Sequence, residues 1–289
     1  RVSAQLGGRP GRIALLQEWA GYLLTPDTSQ HKFLVAEAEG ANGKSVLLEV
    51  LTAMLGEQNV SQVPLEMFGQ RFQLTPTIDK LANICAEVGE INSVAEGVLK
   101  QFTAGDRMYF DRKGISGVER YPTARLMLAT NTRPGSKDRS MGIWRRMLLV
   151  PFRYTVPAEC QDRGLTARLK QELPGIFLWA LGGAKRLKAN GHFTEPRVCK
   201  DALEEYRLES NPTRVFLSEH LSLEPQSKVT SAAVYARYKN WCQDNGFSAL
   251  NAALFGKELK KQFPSVERKK KRNPTAGREW SYVGVTLLP

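Results

Sequence analysis

Apolar positions along the chain change period from segment to segment. Ile13, Leu15, Leu16, Trp19, Tyr22 and Leu23 are spaced as one face of an amphipathic helix over 11–24, and Thr25-Pro26-Asp27 ends it. The unbroken run from His31 to Ala36 predicts a buried strand. It leads through a small-residue loop, Glu37 to Gly43, into a helix beginning near Lys44 and carrying Val46, Leu47, Val50, Leu51 and Met54. Leu81–Ala86 and Leu126–Thr130 are apolar runs ending in a polar residue, as parallel strands of an α/β sheet do where they emerge, and Met147–Phe152 is another such run. Over 165–221 the period is helical. Leu165, Leu169, Leu173, Ile176, Phe177, Trp179, Ala180, Leu181 and Leu187 supply an apolar face, continued past Pro196 by Leu203, Tyr206 and Leu208.

Pro225-Gln226-Ser227 reads as a linker into a last domain. There Thr230 or Ser231 is placed to cap a helix with Val234, Tyr235, Tyr238, Trp241 and Cys242 on one face, closed by Asn245-Gly246. A second helix around Ala252–Phe263 buries Leu254, Phe255, Leu259 and Phe263 and turns Lys257, Lys260 and Lys261 outward. A turn at Asn273–Gly277 and a strand-like Trp280–Leu287 follow. Helix, helix, basic hairpin is the order of a winged helix. The expected division is a helical segment over 1–30, an α/β core over 31–157, a helical segment over 158–224 and a basic winged-helix domain over 225–289.

A hydrophobic fraction of 42% and a charged fraction of 24% are those of an ordinary folded protein, and no run is long and apolar enough to cross a bilayer, so no membrane partner is expected. Cys85, Cys160, Cys199 and Cys242 lie far apart with no C-x-x-C pair, which argues against a zinc site and a disulfide framework and favours a reducing cytoplasm. The chain opens on Arg1 with no charged-then-apolar leader, so a piece of a longer protein is expected. The net charge of +12 is concentrated: residues 225–289 hold 12 Lys and Arg against 4 Asp and Glu, a field that attracts phosphate backbones or acidic membranes.

Gly40-Ala41-Asn42-Gly43-Lys44-Ser45 stands directly between a predicted strand and helix. Backbone N–H groups of such a loop point at phosphate oxygens, Lys44 reaches the β- and γ-phosphates, and the Ser45 hydroxyl ligates Mg²⁺. The G-x-x-x-x-G-K-[ST] pattern has Gly where this chain has Ala38. Asn83-Ile84-Cys85-Ala86-Glu87 ends in an acid suited to holding Mg²⁺ or polarising water, with Glu90 close behind. Asn131, at the tip of Leu126–Thr130, is placed to sense a γ-phosphate. Arg145 or Arg146 can stabilise charge developing on a transferred phosphoryl group.

The order of these motifs resembles the superfamily 3 helicases of phage, plasmid and large-DNA-virus primase-helicase type. The resemblance is carried by Gly40–Ser45, Ile84–Glu90, Leu99–Asp106, Leu128–Asn131 with Pro134, and Trp144-Arg145-Arg146 with Pro151-Phe152. It extends through Leu203–Arg207, Asn211-Pro212 and Tyr238–Cys242 with Asn245-Gly246, over nearly the whole chain. It implies an AAA+-like P-loop α/β core, use of ATP and Mg²⁺, and a homo-oligomeric ring, usually a hexamer, with ATP between neighbours. It leaves room for a primase domain upstream and for host cytoplasm as the location. Lys44 and Ser45 would bind phosphate and Mg²⁺, Glu87 would be the Walker B acid, with Glu90 the competing assignment, Asn131 the sensor, and Arg145 or Arg146 the finger reaching the next subunit. A hairpin carrying Arg112, Lys113 and Arg120 would project onto single-stranded DNA in the channel. Duplex DNA would meet Lys257, Lys260, Lys261, Arg268, Lys269, Lys270, Lys271 and Arg272. A AAA+ ATPase that remodels or loads at DNA without unwinding uses the same machinery. A small-molecule P-loop kinase has no use for the basic C-terminal domain or the basic hairpin.

Overall fold

The computed structural model describes residues 10–86, 93–131, 141–273 and 277–288, in two compact units, Arg1–Tyr206 and Arg207–Pro289. The first unit is mixed α/β. Its elements are α1 (Pro10–Tyr22), β1 (Phe33–Glu37), α2 (Lys44–Leu55), β2 (Val60–Ser61), β3 (Ala82–Cys85), α3 (Ser93–Ala104), β4 (Met108–Phe110), β5 (Val118–Arg120), β6 (Arg125–Thr130), α4 (Met141–Trp144), β7 (Met147–Pro151), α5 (Leu165–Gln171), α6 (Leu173–Asn190) and α7 (Arg197–Glu209). Strands β2-β3-β6-β1-β7 form one parallel sheet, and β4 and β5 pair separately as an antiparallel hairpin.

The strands are unbroken apolar runs because both faces of the sheet are covered. Alternation then sends successive side chains into different cores. Leu34, Ala36, Ile84, Met127, Ala129, Leu148 and Val150 pack on one side with α1, α2 and α6. Phe33, Val35, Cys85, Leu126, Leu128 and Leu149 pack on the other with α3 and with Phe68 and Tyr206. Asn83 is fully buried in β3 and satisfied: its Oδ1 accepts from Ser61 Oγ at 2.9 Å and Val63 N at 2.8 Å, and its Nδ2 donates to Val63 O at 2.9 Å. It clips β2 onto the sheet.

Helix α1 crosses α6 almost backbone to backbone. A Cβ on Gly183 would stand 1.9 Å from the Gln17 carbonyl oxygen, and one on Gly21 2.3 Å from the Ala184 nitrogen. The crossing is locked by Glu18, fully buried, whose carboxylate accepts from Arg186 Nε at 2.7 Å, Thr194 N at 2.7 Å and Thr194 Oγ at 2.8 Å. Such a carboxylate is tolerable in the interior only because every neighbour donates to it. The apolar face expected of α6 is only partly used. Ala180, Gly183 and Leu187 are buried, whereas Phe177 and Leu178 are exposed, because α1 covers only the later turns of the helix.

The second unit contains α8 (Pro212–His220), β8 (Leu221–Thr230), α9 (Ser231–Asp244), α10 (Ala252–Gln262), β9 (Glu267–Asn273) and β10 (Gly277–Leu287), with its three strands in the order β8-β10-β9. The expected linker at Pro225-Gln226-Ser227 is instead part of β8. Leu223 pairs with Val285 and Lys228 with Val283, so residues 224–227 bulge outward opposite Gly284 alone. An edge strand can accommodate a proline in such a bulge, which no periodicity shows. The helix α8, assigned from the sequence to the preceding helical segment, packs here: Phe216 sits among Tyr238, Trp241 and Phe255 with ring centroids 5.3–6.2 Å away. Thr230 is the cap of α9, accepting from Ala233 N at 3.1 Å. Leu254, expected in the core, is exposed, while Glu258 takes a buried place on α10.

Gly183→Ala forces α1 and α6 apart and is expected to destabilise the chain by about 1–3 kcal/mol, as overpacking does. Urea unfolding checks this; a midpoint at or above that of the parent chain would contradict the close approach.

Candidate functional site

The loop after β1 turns through left-handed backbone at Gly40 (φ 121°), Ala41 (φ 47°) and Gly43 (φ 80°), the last being the residue that enters α2. Ala38 needs no such conformation. It is buried, its N–H continues the β1 ladder by donating to Thr130 O at 3.1 Å, and the missing glycine therefore changes nothing in the turn. Asn42 closes the loop internally, Nδ2 to Gly40 O at 2.9 Å, and Val156 N donates to Ala41 O at 2.8 Å.

The loop is organised around Lys44. Its buried ammonium donates to Ala38 O at 2.7 Å, Thr130 O at 3.0 Å and Asn131 Oδ1 at 2.7 Å. Desolvation lowers the Lys44 pKa, and the neighbouring Glu37 charge opposes that shift. Lys44 and Asn131, distant in sequence, meet because β1 and β6 are parallel neighbours with Glu37 beside Thr130, so both strands release their following residues at the same edge. Ser45 is exposed on a cleft of about 700 Å³ that also reaches Glu49, Gln62, Ile84, Cys85, Ala86 and Lys170. The end of β3 thus opens into the same cleft. Glu87, Glu90 and Pro134 lie outside the described residues. Sequence reading missed the Ala38 and Thr130 carbonyls, since backbone atoms leave no signature in residue identity.

Arg145 and Arg146 are not near this loop. They precede β7, whose first residue pairs with Phe33 at the start of β1, so they stand at the opposite edge of the sheet from the residues that follow β1. That separation is about 13 Å at the usual strand rise. Arg145 is exposed; Arg146 donates to Gly142 O at 2.8 Å, and its pKa is lowered by desolvation and by Arg145, against the pull of Asp106.

The basic hairpin is β4–β5. Lys113 and Arg120 are exposed, and Arg112 folds its Nε onto Ser116 O at 2.8 Å across the turn. In the second unit the expected lysines of α10 divide. Lys257 is exposed, but Lys260 donates to Pro264 O at 2.7 Å and Val266 O at 2.9 Å, and Lys261 to Glu258 at 2.9 Å. On β9, Arg268 and Lys270 lie over the half-exposed Trp280 ring, at 4.8 and 5.6 Å, and Lys269 pairs with Glu267 at 2.5 Å. Lys271 and Arg272 continue β9, paired with Glu279 and Arg278 of β10.

Residues 37–146 match a family described as of unknown function (DUF5906), and residues 210–288 match the RFX DNA-binding domain. The chain is 25% identical over 272 residues to "Putative helicase 022R" of Frog virus 3, covering 83% of this chain and 25% of that protein. It is 22% identical over 248 residues to "Putative helicase L207/L206" of Acanthamoeba polyphaga mimivirus, covering 77% of this chain and 26% of the relative. The chain therefore spans about a quarter of the length of the curated relatives it matches. The apo NrS-1 C-terminal region superposes with a TM-score of 0.61 at 12% identity, over 98% of this chain and 74% of that one. This likeness places the fold: an α/β core with a parallel sheet, followed by a helical and antiparallel part. Among the described residues no helix is long and apolar enough to cross a membrane, and the four cysteines are free.

The buried Glu258 holds the α10 basic face in place. Burial alone would raise its pKa, but hydrogen bonds from Lys261 and Asn211 and the charges of Lys261 and Arg214 outweigh it, and the net shift is downward. A carboxylate held below its unfolded pKa contributes stability above that pKa and loses it as pH falls through the folded value. Glu258→Gln should cost the second unit about 1–3 kcal/mol at neutral pH and lessen its loss of stability on acidification. Urea unfolding of the whole chain from pH 7 to pH 3 checks both; parallel curves for the two proteins would remove Glu258 from the account.

Proposed function

We propose that this chain is the motor segment of an ATP-driven helicase that moves along DNA, with ATP held between subunits of a homo-oligomeric ring. The observation that carries the reading is the meeting of Lys44 and Asn131 at the emerging edge of β1 and β6, beside a cleft that Ser45 shares with the end of β3. The chain's residues fit a nucleotide triphosphate and Mg²⁺. A Cβ built on Gly40 meets nothing within 4 Å, so the mouth of the loop is open, and the Lys44 ammonium is already desolvated there. When bound, the nucleotide supplies the phosphoanhydride bond whose hydrolysis drives the cycle. Lys44 exchanges carbonyl oxygens for phosphate oxygens, a stronger charge-assisted contact. Asn131 is thereby released from Lys44 and free to orient a water or sense the γ-phosphate. Ser45 offers its hydroxyl to Mg²⁺, and Glu87, or Glu90 three residues on, is the proposed acid.

The position of Arg145 and Arg146 supports the ring. Lying at the far edge of the sheet, they cannot serve their own loop and suit a neighbour's, as a finger acting in trans does. Arg112, Lys113 and Arg120 are proposed to grip phosphates of a single strand, contacts that carry no sequence information and so suit translocation. For duplex DNA, the winged-helix reading of residues 225–289 is supported by the match of residues 210–288 to the RFX DNA-binding domain and by the basic strand β9. Lys260 and Lys261 then act less as contacts than as ties that hold α10 and the β9 entry in place, with Lys257 and the Arg268–Arg272 run supplying the charge that meets the duplex.

Lys44→Ala is expected to lower ATP turnover by at least about a hundredfold, on the scale of losing one preorganised donor to developing charge, and to abolish strand displacement on a forked duplex. Retained turnover would remove the loop from the mechanism; turnover in the parent chain without any displacement would favour an ATPase that remodels DNA. Replacing Arg268, Lys269 and Lys270 with Gln should flatten the salt dependence of duplex binding by roughly 0.9 in log K against log salt for each phosphate that is no longer neutralised. An unchanged slope in a fluorescence-anisotropy titration would show that β9 is a solubilising surface.

A further inference from the structure

The β4–β5 hairpin carries more than charge. Met108 and Phe110 face inward and are buried in the first unit's core, which fixes the hairpin to the sheet below. By alternation the opposite face presents Arg107, Tyr109 and Asp111 on one strand and Gly117, Glu119 and Tyr121 on the other. Tyr109 is 63% exposed and Tyr121 65%, so neither ring is explained by packing. Tyr109 lies across Gly117: a Cβ there would stand 2.2 Å from its phenol oxygen and 2.3 Å from Cζ. The glycine makes room for the ring, which stays 63% exposed. Tyr109 is opposite Glu119 and leans toward Gly117, whereas Tyr121 follows just past β5 on the other side of Glu119, so the two rings stand as separate exposed surfaces rather than in contact. Both acids of this face are neutralised inside the chain, Glu119 by Arg107 at 2.5 Å and Asp111 by Arg71 at 2.7 Å. What remains exposed is the two tyrosine rings, with Arg112 and Lys113 at the turn and Arg120 opposite Met108 at the hairpin's other face.

We propose that this face is a base-stacking platform for single-stranded nucleic acid, with Tyr109 and Tyr121 as the stacking rings. The proposal rests on the helicase reading and deepens it: the hairpin holds bases as well as phosphates. Stacking tolerates any sequence because every base has a π-face, and a ring already fixed over a glycine loses little freedom on binding.

The test compares the parent chain with Tyr109→Ala/Tyr121→Ala and Tyr109→Phe/Tyr121→Phe on a mixed-sequence single-stranded oligonucleotide and on an abasic oligonucleotide of equal length. Affinities are taken across a salt series and particle size by mass photometry. The parent should prefer the base-bearing strand. The Ala variant should lose that preference, binding it about five- to a hundredfold more weakly per stacked base, while the salt slope stays unchanged because every phosphate-gripping cation is still present. The Phe variant should keep the preference. An Ala variant that binds and discriminates like the parent overturns the platform and leaves the helicase reading standing. So does a loss of binding that tracks a change in particle size, which would make this face a contact between copies. A parent chain that binds neither strand overturns the helicase reading, and the platform with it; the abasic comparison on the parent needs no variant to fold.

Discussion

Lys44 is the constraint on which the first unit turns. Its ammonium is buried, and a buried cation is stable only where acceptors surround it. Here they come from three places: the carbonyl of Ala38 at the end of β1, the carbonyl of Thr130 at the end of β6, and the side chain of Asn131 just beyond. Those oxygens converge only if β1 and β6 are adjacent, parallel and in the observed register. The central pairing of the sheet and the chemistry of the loop are one requirement.

The sheet also separates tasks by its two edges. The edge from which β1, β3 and β6 emerge holds the phosphate-type loop, Asn131 and the cleft; the other holds Arg145 and Arg146 ahead of β7. A single subunit so built keeps its loop and its arginine pair apart, which is the asymmetry that the proposed head-to-tail ring requires. The α1–α6 crossing stiffens the flank beside the loop: Glu18 ties Arg186 and Thr194 together, and the glycines there let backbones touch without side chains between them.

In the second unit charge does two jobs. Glu258 gathers Lys261, Asn211 and Arg214 around a buried carboxylate, and Lys260 ties α10 to the chain leading into β9. Those cations serve the fold, while the strand beyond presents its own. Trp280 under Arg268 and Lys270 combines a π-face with positive charge on a narrow ribbon.

The sequence by itself determined the parts whose cause is local. Buried parallel strands announce themselves as unbroken apolar runs. Thr230-Ser231 announces a helix start, and Gly40–Ser45 announces a tight turn between strand and helix, because those identities are what the local backbone demands. The basic hairpin before Leu126 was expected from the family resemblance and not from any periodicity of its own. Tertiary structure decided what depends on partners far along the chain. Ala38 stands without strain where the motif has Gly because the turn takes its left-handed residues at Gly40, Ala41 and Gly43. Pro225 sits in a strand because β10 pairs on both sides of it and lets it bulge. Leu254 is outside, and Glu258 is tolerated inside because Arg214, Asn211 and Lys261 surround its carboxylate. Tyr109 comes to lie beside Glu119 and Gly117 only through the pairing of β4 with β5. In each case the residue's identity was visible, but its energy was set by neighbours that no spacing along the chain could name.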